Sequence, residues 1–161
     1  MLILGLDPGS RITGWGLVRQ EGSRSVHVAS GAWRLDEDAE LSVRLADLTR
    51  RLEALLTQHH PSCAAMEQIF SAKSARSALI LGQARGALLA ILARTHLSIA
   101  EYTPTQVKQS VTGSGRADKQ QVQRMVAVLL NHREKMSEDE SDALAVALTH
   151  GAALSTTAAR R

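Results

Sequence analysis

The stretch LGLDPGSRITGWG, residues 4–16, places one aspartate between an apolar run and a Pro-Gly turn. Residues 2–7 are apolar on both alternating faces, which is typical of a central strand that is covered on both sides. Asp7 ends this strand, and burying an unpaired carboxylate is costly unless the group is protonated or a partner compensates its charge. The position of Asp7 therefore predicts that other groups from further along the chain lie beside it.

Length and composition indicate one globular domain. The chain has 161 residues, of which 44% are hydrophobic, and we expect a single domain over residues 1–154 with a flexible tail at 155–161. The apolar run at the N-terminus is too short for a membrane span or a signal peptide, so we expect no membrane association. Cys63 is the one cysteine and cannot form an intramolecular disulfide. We therefore expect a reducing compartment, the cytoplasm.

The charges are unevenly distributed along the chain. The net charge is +3, which makes a polyanionic partner more plausible than it would be for an acidic protein. Acidic residues are concentrated in REKMSEDESD, residues 133–142. Basic residues fill the segments between Glu67 and that run: Lys73, Arg76, Arg85, Lys108, Arg116, Lys119 and Arg124. The pattern indicates a local acidic cluster within a basic surround.

The order of apolar patterns predicts a βββαβαβααα chain. We predict strands at 2–7, 12–19, 25–33, 62–68 and 97–102, and helices at 40–58, 73–95, 104–111, 116–131 and from 137 onward. Three strands with short links favour an antiparallel meander, and returns through helices favour parallel neighbours. The fold class is therefore α/β, with a mixed five-stranded sheet and helices on both faces.

Two of the predicted helices have features beyond a single apolar face. The 73–95 helix carries two apolar stripes, one with Ala75, Leu79, Gly82 and Gly86 and the other with Leu81, Ala84, Leu88 and Ile91. Two stripes need two partners, so we expect one to pack on the sheet and the other on a neighbouring helix or a second subunit. The last helix begins at Ser137 with Glu140 as a capping box, followed by a stripe of Leu144, Leu148 and Ala152.

Other acids are placed where they can meet Asp7. Glu67 ends the fourth predicted strand as Asp7 ends the first, and Asp139 and Asp142 project about 60° apart on the last helix. Carboxylates are ligands for Mg²⁺ or Mn²⁺, and two such ions about 4 Å apart can catalyse phosphodiester hydrolysis. The alternative is a solvated helix start whose acids complement the helix dipole, with Asp7 as a turn former. Composition alone favours that alternative.

Four long motifs occur in a recognisable order. They are LGLDPGSRITGWG at 4–16, MEQIFSAKSARSALILGQARG at 66–86, QVKQSVTGSGRADKQQVQRMV at 106–126 and SDALAVALTH at 141–150. On these motifs the chain resembles RuvC-type crossover junction endodeoxyribonucleases, the Holliday-junction resolvases of bacteria, from Leu4 to His150. Several long motifs in order are far more specific than any single short pattern.

The resemblance implies a fold, an activity and a site. It implies a ribonuclease-H-like fold, a homodimer, two Mg²⁺ or Mn²⁺ ions per site, and paired symmetric nicks at a four-way DNA junction, with a branch-migration helicase complex as a partner. The family's four catalytic, metal-binding acids fall on Asp7, Glu67, Asp139 and Asp142. The DNA-binding positions that the resemblance implies are Lys108 and Lys119, for phosphate contacts, and Phe70, for insertion beside bases; Arg76, Lys73 and Arg11 are weaker candidates.

Three other functions remain to be distinguished. Sugar kinases and actin-like ATPases also begin with a strand aspartate and a glycine-rich hairpin, but that architecture needs a second such domain, and no duplicated motif is visible. A non-catalytic junction-binding module would use the acids structurally. A ribonuclease H that cleaves RNA in hybrids would share both fold and metal chemistry.

His150 lies nearly three turns beyond Asp139, so we expect a structural role for it.

Overall fold

The computed structural model describes residues 1–68 and 74–159, which form one five-stranded sheet and five helices. The strands are β1 (Leu2–Asp7), β2 (Ile12–Glu21), β3 (Arg24–Arg34), β4 (Cys63–Glu67) and β5 (Ser98–Tyr102). The helices are α1 (Leu41–His59), α2 (Ala75–Arg94), α3 (Pro104–Thr112), α4 (Lys119–Leu129) and α5 (Glu138–Ala159). The strand order is β3-β2-β1-β4-β5, with β1, β2 and β3 antiparallel and β1, β4 and β5 parallel. This confirms the mixed α/β sheet.

The sheet separates two hydrophobic cores, and helices cover both of its faces. On one face, sheet residues such as Leu4, Leu6 and Leu17 pack with α1 and α2. On the other face, Ile3 and Val18 pack with α3, α4 and α5. Because neighbouring strand residues point to opposite faces, the continuous apolar run of β1 supplies both cores, as expected for a central strand.

Several element boundaries differ from the sequence prediction. The β2–β3 hairpin is longer than predicted and turns at Gly22, whose φ is +60°. The polar residues next to this turn continue the β2–β3 pairing beyond the hydrophobic core, at the edge of the sheet. Helix α4 begins at Lys119 rather than at 116, because Asp118 caps it in a reciprocal capping box with Gln121.

Helix α2 buries one of its two apolar stripes. Ala84, Leu88 and Ile91 are in the core, whereas Leu79 on the second stripe is 64% exposed. A Cβ added at Gly82 or Gly86 would have no heavy atom within 4 Å. The second stripe therefore has no partner in the described part of the chain. By length and composition alone α2 is also apolar enough to cross a membrane, a weak indication because core helices meet the same criterion.

Helix α5 is more deeply buried than its predicted stripe indicated. Residues 143–148 are all buried, because the sheet lies on one side of the helix and α3 and α4 lie on the other. A Cβ at Gly5 would overlap the carbonyl oxygen of Ala143, so the helix backbone lies directly on the strands. The helix also continues to Ala159, into the segment predicted to be a flexible tail, and the Ser155 hydroxyl donates to the Gly22 carbonyl at 3.1 Å.

Candidate active site

Asp7 and Glu67 lie side by side at one edge of the sheet. Strands β1 and β4 are parallel with Leu6 opposite Met66, so the next residue of each strand is one of these acids. Both side chains are partly buried. The carboxyl ends of adjacent parallel strands form the usual site-bearing edge of an open α/β sheet.

The first turns of α5 bring the other two acids to the same edge. Gly14 on β2 is paired with Asp7, and a Cβ at Gly14 would overlap the carbonyl oxygen of Asp139. The absence of a side chain at Gly14 thus lets the helix start pack against the strand next to Asp7. Asp142 follows one turn later and is partly buried, as Asp139 is. The structure therefore brings the four predicted acids together.

The electrostatics of the site are those of crowded carboxylates. Burial, followed by the charges of Asp142, Glu67 and Asp139, raises the pKa of Asp7 from 3.8 to about 8. Burial and then Asp142 raise the pKa of Glu67 from 4.5 to about 7. Among the described residues, none donates a hydrogen bond to the side chains of Asp7, Glu67 or Asp139, and none forms an ion pair with them. The cluster is therefore deficient in positive charge, and a cation would relieve this.

The chemistry of the four acids fits a hard divalent cation. Their donors are all carboxylate oxygens, which Mg²⁺ and Mn²⁺ prefer. As the side chains stand, no three His, Cys, Asp or Glu residues of the described ranges form a ready ligand cluster.

Two lysines flank the acids. Lys119, the first residue of α4, forms an ion pair with Glu138, and its Nζ lies 3.9 Å from Asp142 Oδ2. The hydrogen bond to Glu138 raises the pKa of Lys119. The positive charges of Lys108 and Lys119 both oppose the burial that raises the pKa values of Glu67 and Asp142. Within the described chain, the positive charges that act on these two carboxylates thus come from Lys108 and Lys119.

The weaker DNA-binding candidates lie elsewhere. Arg11 is exposed and forms an ion pair with Glu37 at 2.9 Å. Arg76 is exposed in the first turn of α2, and its charge does not shift the pKa of Asp7, Glu67 or Asp142. Phe70 and Lys73 lie outside the described residues. DNA contacts at these four positions remain predictions.

Sequence reasoning missed contacts that position the site. Gly14 has a visible signal, since glycines alternate with large residues along β2 at positions 14 and 16. The bond from the Ser30 hydroxyl to Glu140, at 2.7 Å, joins residues 110 apart and has no local signal. His150 is buried, and its Nδ1 lies 2.8 Å from the Tyr102 hydroxyl, as expected for a structural residue.

Known proteins share both the sequence and the fold. The sequence model of the family described as "Crossover junction endodeoxyribonuclease RuvC" matches residues 3–150. A protein of that name from Stutzerimonas stutzeri is 52% identical over 149 residues, covering 92% of this chain and 85% of the relative. Its counterpart from Citrifermentans bemidjiense is 47% identical over 150 residues, covering 93% and 92%. The structure of T. thermophilus RuvC in complex with Holliday junction substrate superposes with a TM-score of 0.91 at 28% identity, covering 98% of this chain and 96% of that one.

Proposed function

The chain belongs to the RuvC family of crossover junction endodeoxyribonucleases, and on this premise we propose that it resolves four-way DNA junctions by paired symmetric nicks. Membership makes it a nuclease that acts at Holliday junctions. One observation carries the proposal for the site: partly buried carboxylates from two strand ends and one helix start converge, and among the described residues Asp7, Glu67 and Asp139 have no hydrogen-bond or ion-pair partner for their side chains. A purely structural acid cluster would be tied up by hydrogen bonds or by arginine.

Asp7, Glu67, Asp139 and Asp142 would hold two Mg²⁺ or Mn²⁺ ions. When bound, the ions would supply the activation of the attacking water and the stabilisation of charge on the departing 3′ oxygen. The raised pKa of Asp7 and that of Glu67 support this proposal, since burial and the neighbouring carboxylates outweigh the opposing positive charge of the lysines. No covalent intermediate on the protein is needed.

Lys108 and Lys119 would bind the phosphates on either side of the cleaved bond. Lys119 now contacts Glu138, an exposed acid that can release it at little cost because exposed ion pairs contribute little stability. Lysine contacts with phosphates supply much of the affinity of a protein for DNA and make it depend on salt. Junction binding should therefore persist when the acids are neutralised.

A homodimer through the second stripe of α2 would supply the second nick. Leu79 is exposed, and the surface at Gly82 and Gly86 is open enough for another backbone to approach. A two-fold interface uses the same patch on both subunits, so one unpartnered stripe is sufficient. Sedimentation of the protein as a monomer at micromolar concentration would contradict this interface.

Cleavage and binding assays test the function together. We expect the wild-type protein to nick a four-way DNA junction symmetrically with Mg²⁺ or Mn²⁺, to be inactive in EDTA, and to cleave an RNA–DNA hybrid poorly under the same conditions. Preferential cleavage of the hybrid would instead indicate a ribonuclease H. Junction binding without nicking at any divalent ion would indicate a binding module.

The variant Asp7→Asn provides the matched test of the site. It should lose cleavage and retain junction affinity within about threefold in an electrophoretic assay, because the lysines are unchanged. Unimpaired nicking by this variant would reject the assignment of Asp7. The branch-migration helicase partner and the cytoplasmic location stay predictions.

A further inference from the structure

The start of α5 is held by a contact far from the acids. The Ser30 hydroxyl on β3 donates to Glu140 Oε1 at 2.7 Å, while Glu140 Oε2 accepts from the backbone N–H of Ser137 at 3.2 Å. The Ser137 hydroxyl in turn accepts from the backbone N–H of Glu140 at 3.2 Å. The capping box expected from the sequence is therefore present, and Ser30 fixes it to the sheet.

The direction of the hydrogen bonds follows from the proton count. The Ser30 hydroxyl has one proton, and an ionised carboxylate accepts only, so that proton goes to Glu140. His27 Nε2 lies 2.6 Å from the Ser30 oxygen and must therefore carry the proton that it donates. Burial, followed by the charge of His132, lowers the pKa of His27, which favours the neutral ring.

The chain of contacts reaches the loop that leads into α5. The ring of His27 packs edge-on against that of His132 with the centroids 4.6 Å apart. His132 follows the end of α4 and precedes Ser137 in the same connection. His132 thus packs against His27, which contacts Ser30, the residue that donates to Glu140.

Glu140 points away from the acid cluster that its helix carries. Successive helix residues are rotated by about 100°, so the side chain of Glu140 lies on a different face from those of Asp139 and Asp142. Asp139 packs its main chain against Gly14 on the sheet side. Two contacts with neighbouring strands, Gly14 on β2 and Ser30 on β3, therefore determine how the helix start is rotated.

We propose that Glu140, Ser30 and His27 form a positioning cluster that orients the first turn of α5 so that Asp139 and Asp142 meet Asp7 and Glu67. The inference rests on the proposed nuclease function and adds residues that touch neither DNA nor ions. Groups that orient metal ligands without binding the metal typically change affinity or activity by about 10- to 100-fold when they are lost.

The decisive variants change one hydroxyl. Ser30→Ala removes the bond to Glu140 and leaves the capping box intact, whereas Ser30→Thr retains a hydroxyl. Ser25→Ala is the matched control, because Ser25 is also on β3 and donates a 2.8 Å bond, to Gln20, at the far end of the strand. We expect Ser30→Ala to lower kcat for junction cleavage about 10-fold or more, with the junction KM unchanged and a higher metal concentration for half-maximal rate. Ser30→Thr should restore kcat, and Ser25→Ala should match the wild type.

A readout independent of cleavage separates this inference from the proposed function. Without metal or DNA, amide hydrogen exchange at residues 137–142 should be about 10-fold faster in Ser30→Ala than in the wild type and unchanged in Ser25→Ala. If the wild type fails to cleave junctions, the proposed function fails while the exchange result still tests the cluster. Wild-type exchange and kcat in Ser30→Ala would overturn the inference.

A double-mutant cycle distinguishes loss of the Ser30–Glu140 bond from a general loss of folded protein. Glu140→Ala removes the same bond from the helix side, so adding Ser30→Ala to it should cause no further loss of kcat. Losses that multiply in the double variant would show that the two residues act separately, and the positioning cluster would be rejected.

Discussion

Neutralising Asp7 should stabilise the folded protein as it abolishes cleavage. The pKa of Asp7 is raised to about 8 from the ordinary value of 3.8, so the folded state keeps a proton that the unfolded chain releases. Since stability falls with pH wherever the folded state binds more protons, the wild type should lose free energy of unfolding as the pH rises from about 4 to about 8. Asparagine mimics the protonated carboxyl and should remove this share of the loss.

The size of the effect follows from the shift. Between pH 5 and pH 8 the penalty on Asp7 grows over about three pH units, each equivalent to about 1.4 kcal/mol, which gives an upper limit of about 4 kcal/mol. The neighbouring acids titrate together with Asp7, and dissolved ions screen their charges. We therefore expect a loss in free energy of unfolding of roughly half this limit, about 2 kcal/mol. For a domain of this size that corresponds to a rise of about 4 to 8 °C in the Tm of Asp7→Asn relative to wild type.

Thermal unfolding in EDTA at a series of pH values measures this difference. The gap between Asp7→Asn and wild type should widen from pH 5 to pH 8, whereas Asp38→Asn, at an exposed aspartate, should follow the wild type throughout. Adding Mn²⁺ should raise the Tm of the wild type more than that of Asp7→Asn. A gap that stays constant with pH would refute the reasoning that unrelieved charge crowds this site.

Three further substitutions test other parts of the structure. Gly14→Ala should displace the start of α5, because the added Cβ overlaps the Asp139 carbonyl; we expect a loss of about 1 to 3 kcal/mol in thermal unfolding together with lost cleavage, and normal activity would show that the contact is not needed. Leu79→Glu should convert a dimer into a monomer in sedimentation, and a persisting dimer would move the interface away from α2. Lys119→Ala should weaken junction binding and reduce the slope of log affinity against log salt by about 1; an unchanged slope would show that Lys119 does not contact phosphate.

The part of the site carried by the sheet was predictable because topology determines it. Asp7 ends an apolar run, the chain returns through a strongly periodic helix, and Glu67 ends the next run. A helical return makes the two strands parallel, which puts both of their carboxyl ends at the same edge. The sequence therefore predicts this pair of acids without information on any other contact.

The packing of α5 was less predictable, because helical periodicity considers one element at a time. The stripe of Leu144 and Leu148 was expected, but burial of the whole 143–148 segment depends on glycines that lie in other strands. Gly5 and Gly16 leave the sheet surface without side chains where the helix crosses it. Only the assembled sheet places these glycines under one helix.

Long-range polar contacts were the least predictable feature. The capping box of Ser137 and Glu140 is local and has a sequence signature, but the bond from Ser30 to Glu140 depends on the register of β3 against β2. Likewise the charge of Arg11 makes it a candidate for DNA contact, whereas in the fold the Leu35 N–H donates to the Arg11 carbonyl at 2.9 Å and the Arg11 side chain pairs with the nearby Glu37. Charge alone does not identify such partners.

The contact between the main chains of Gly14 and Asp139 has a consequence for tolerance to sequence change. Where two backbones touch, their separation is fixed by atomic radii, with no intervening side chain whose size can vary. Exchange of apolar residues on α3 or α4 would then shift those outer helices and alter stability while leaving the spacing between sheet and helix carboxylates nearly constant. The distances between the acids are therefore little affected by substitutions in the surrounding core.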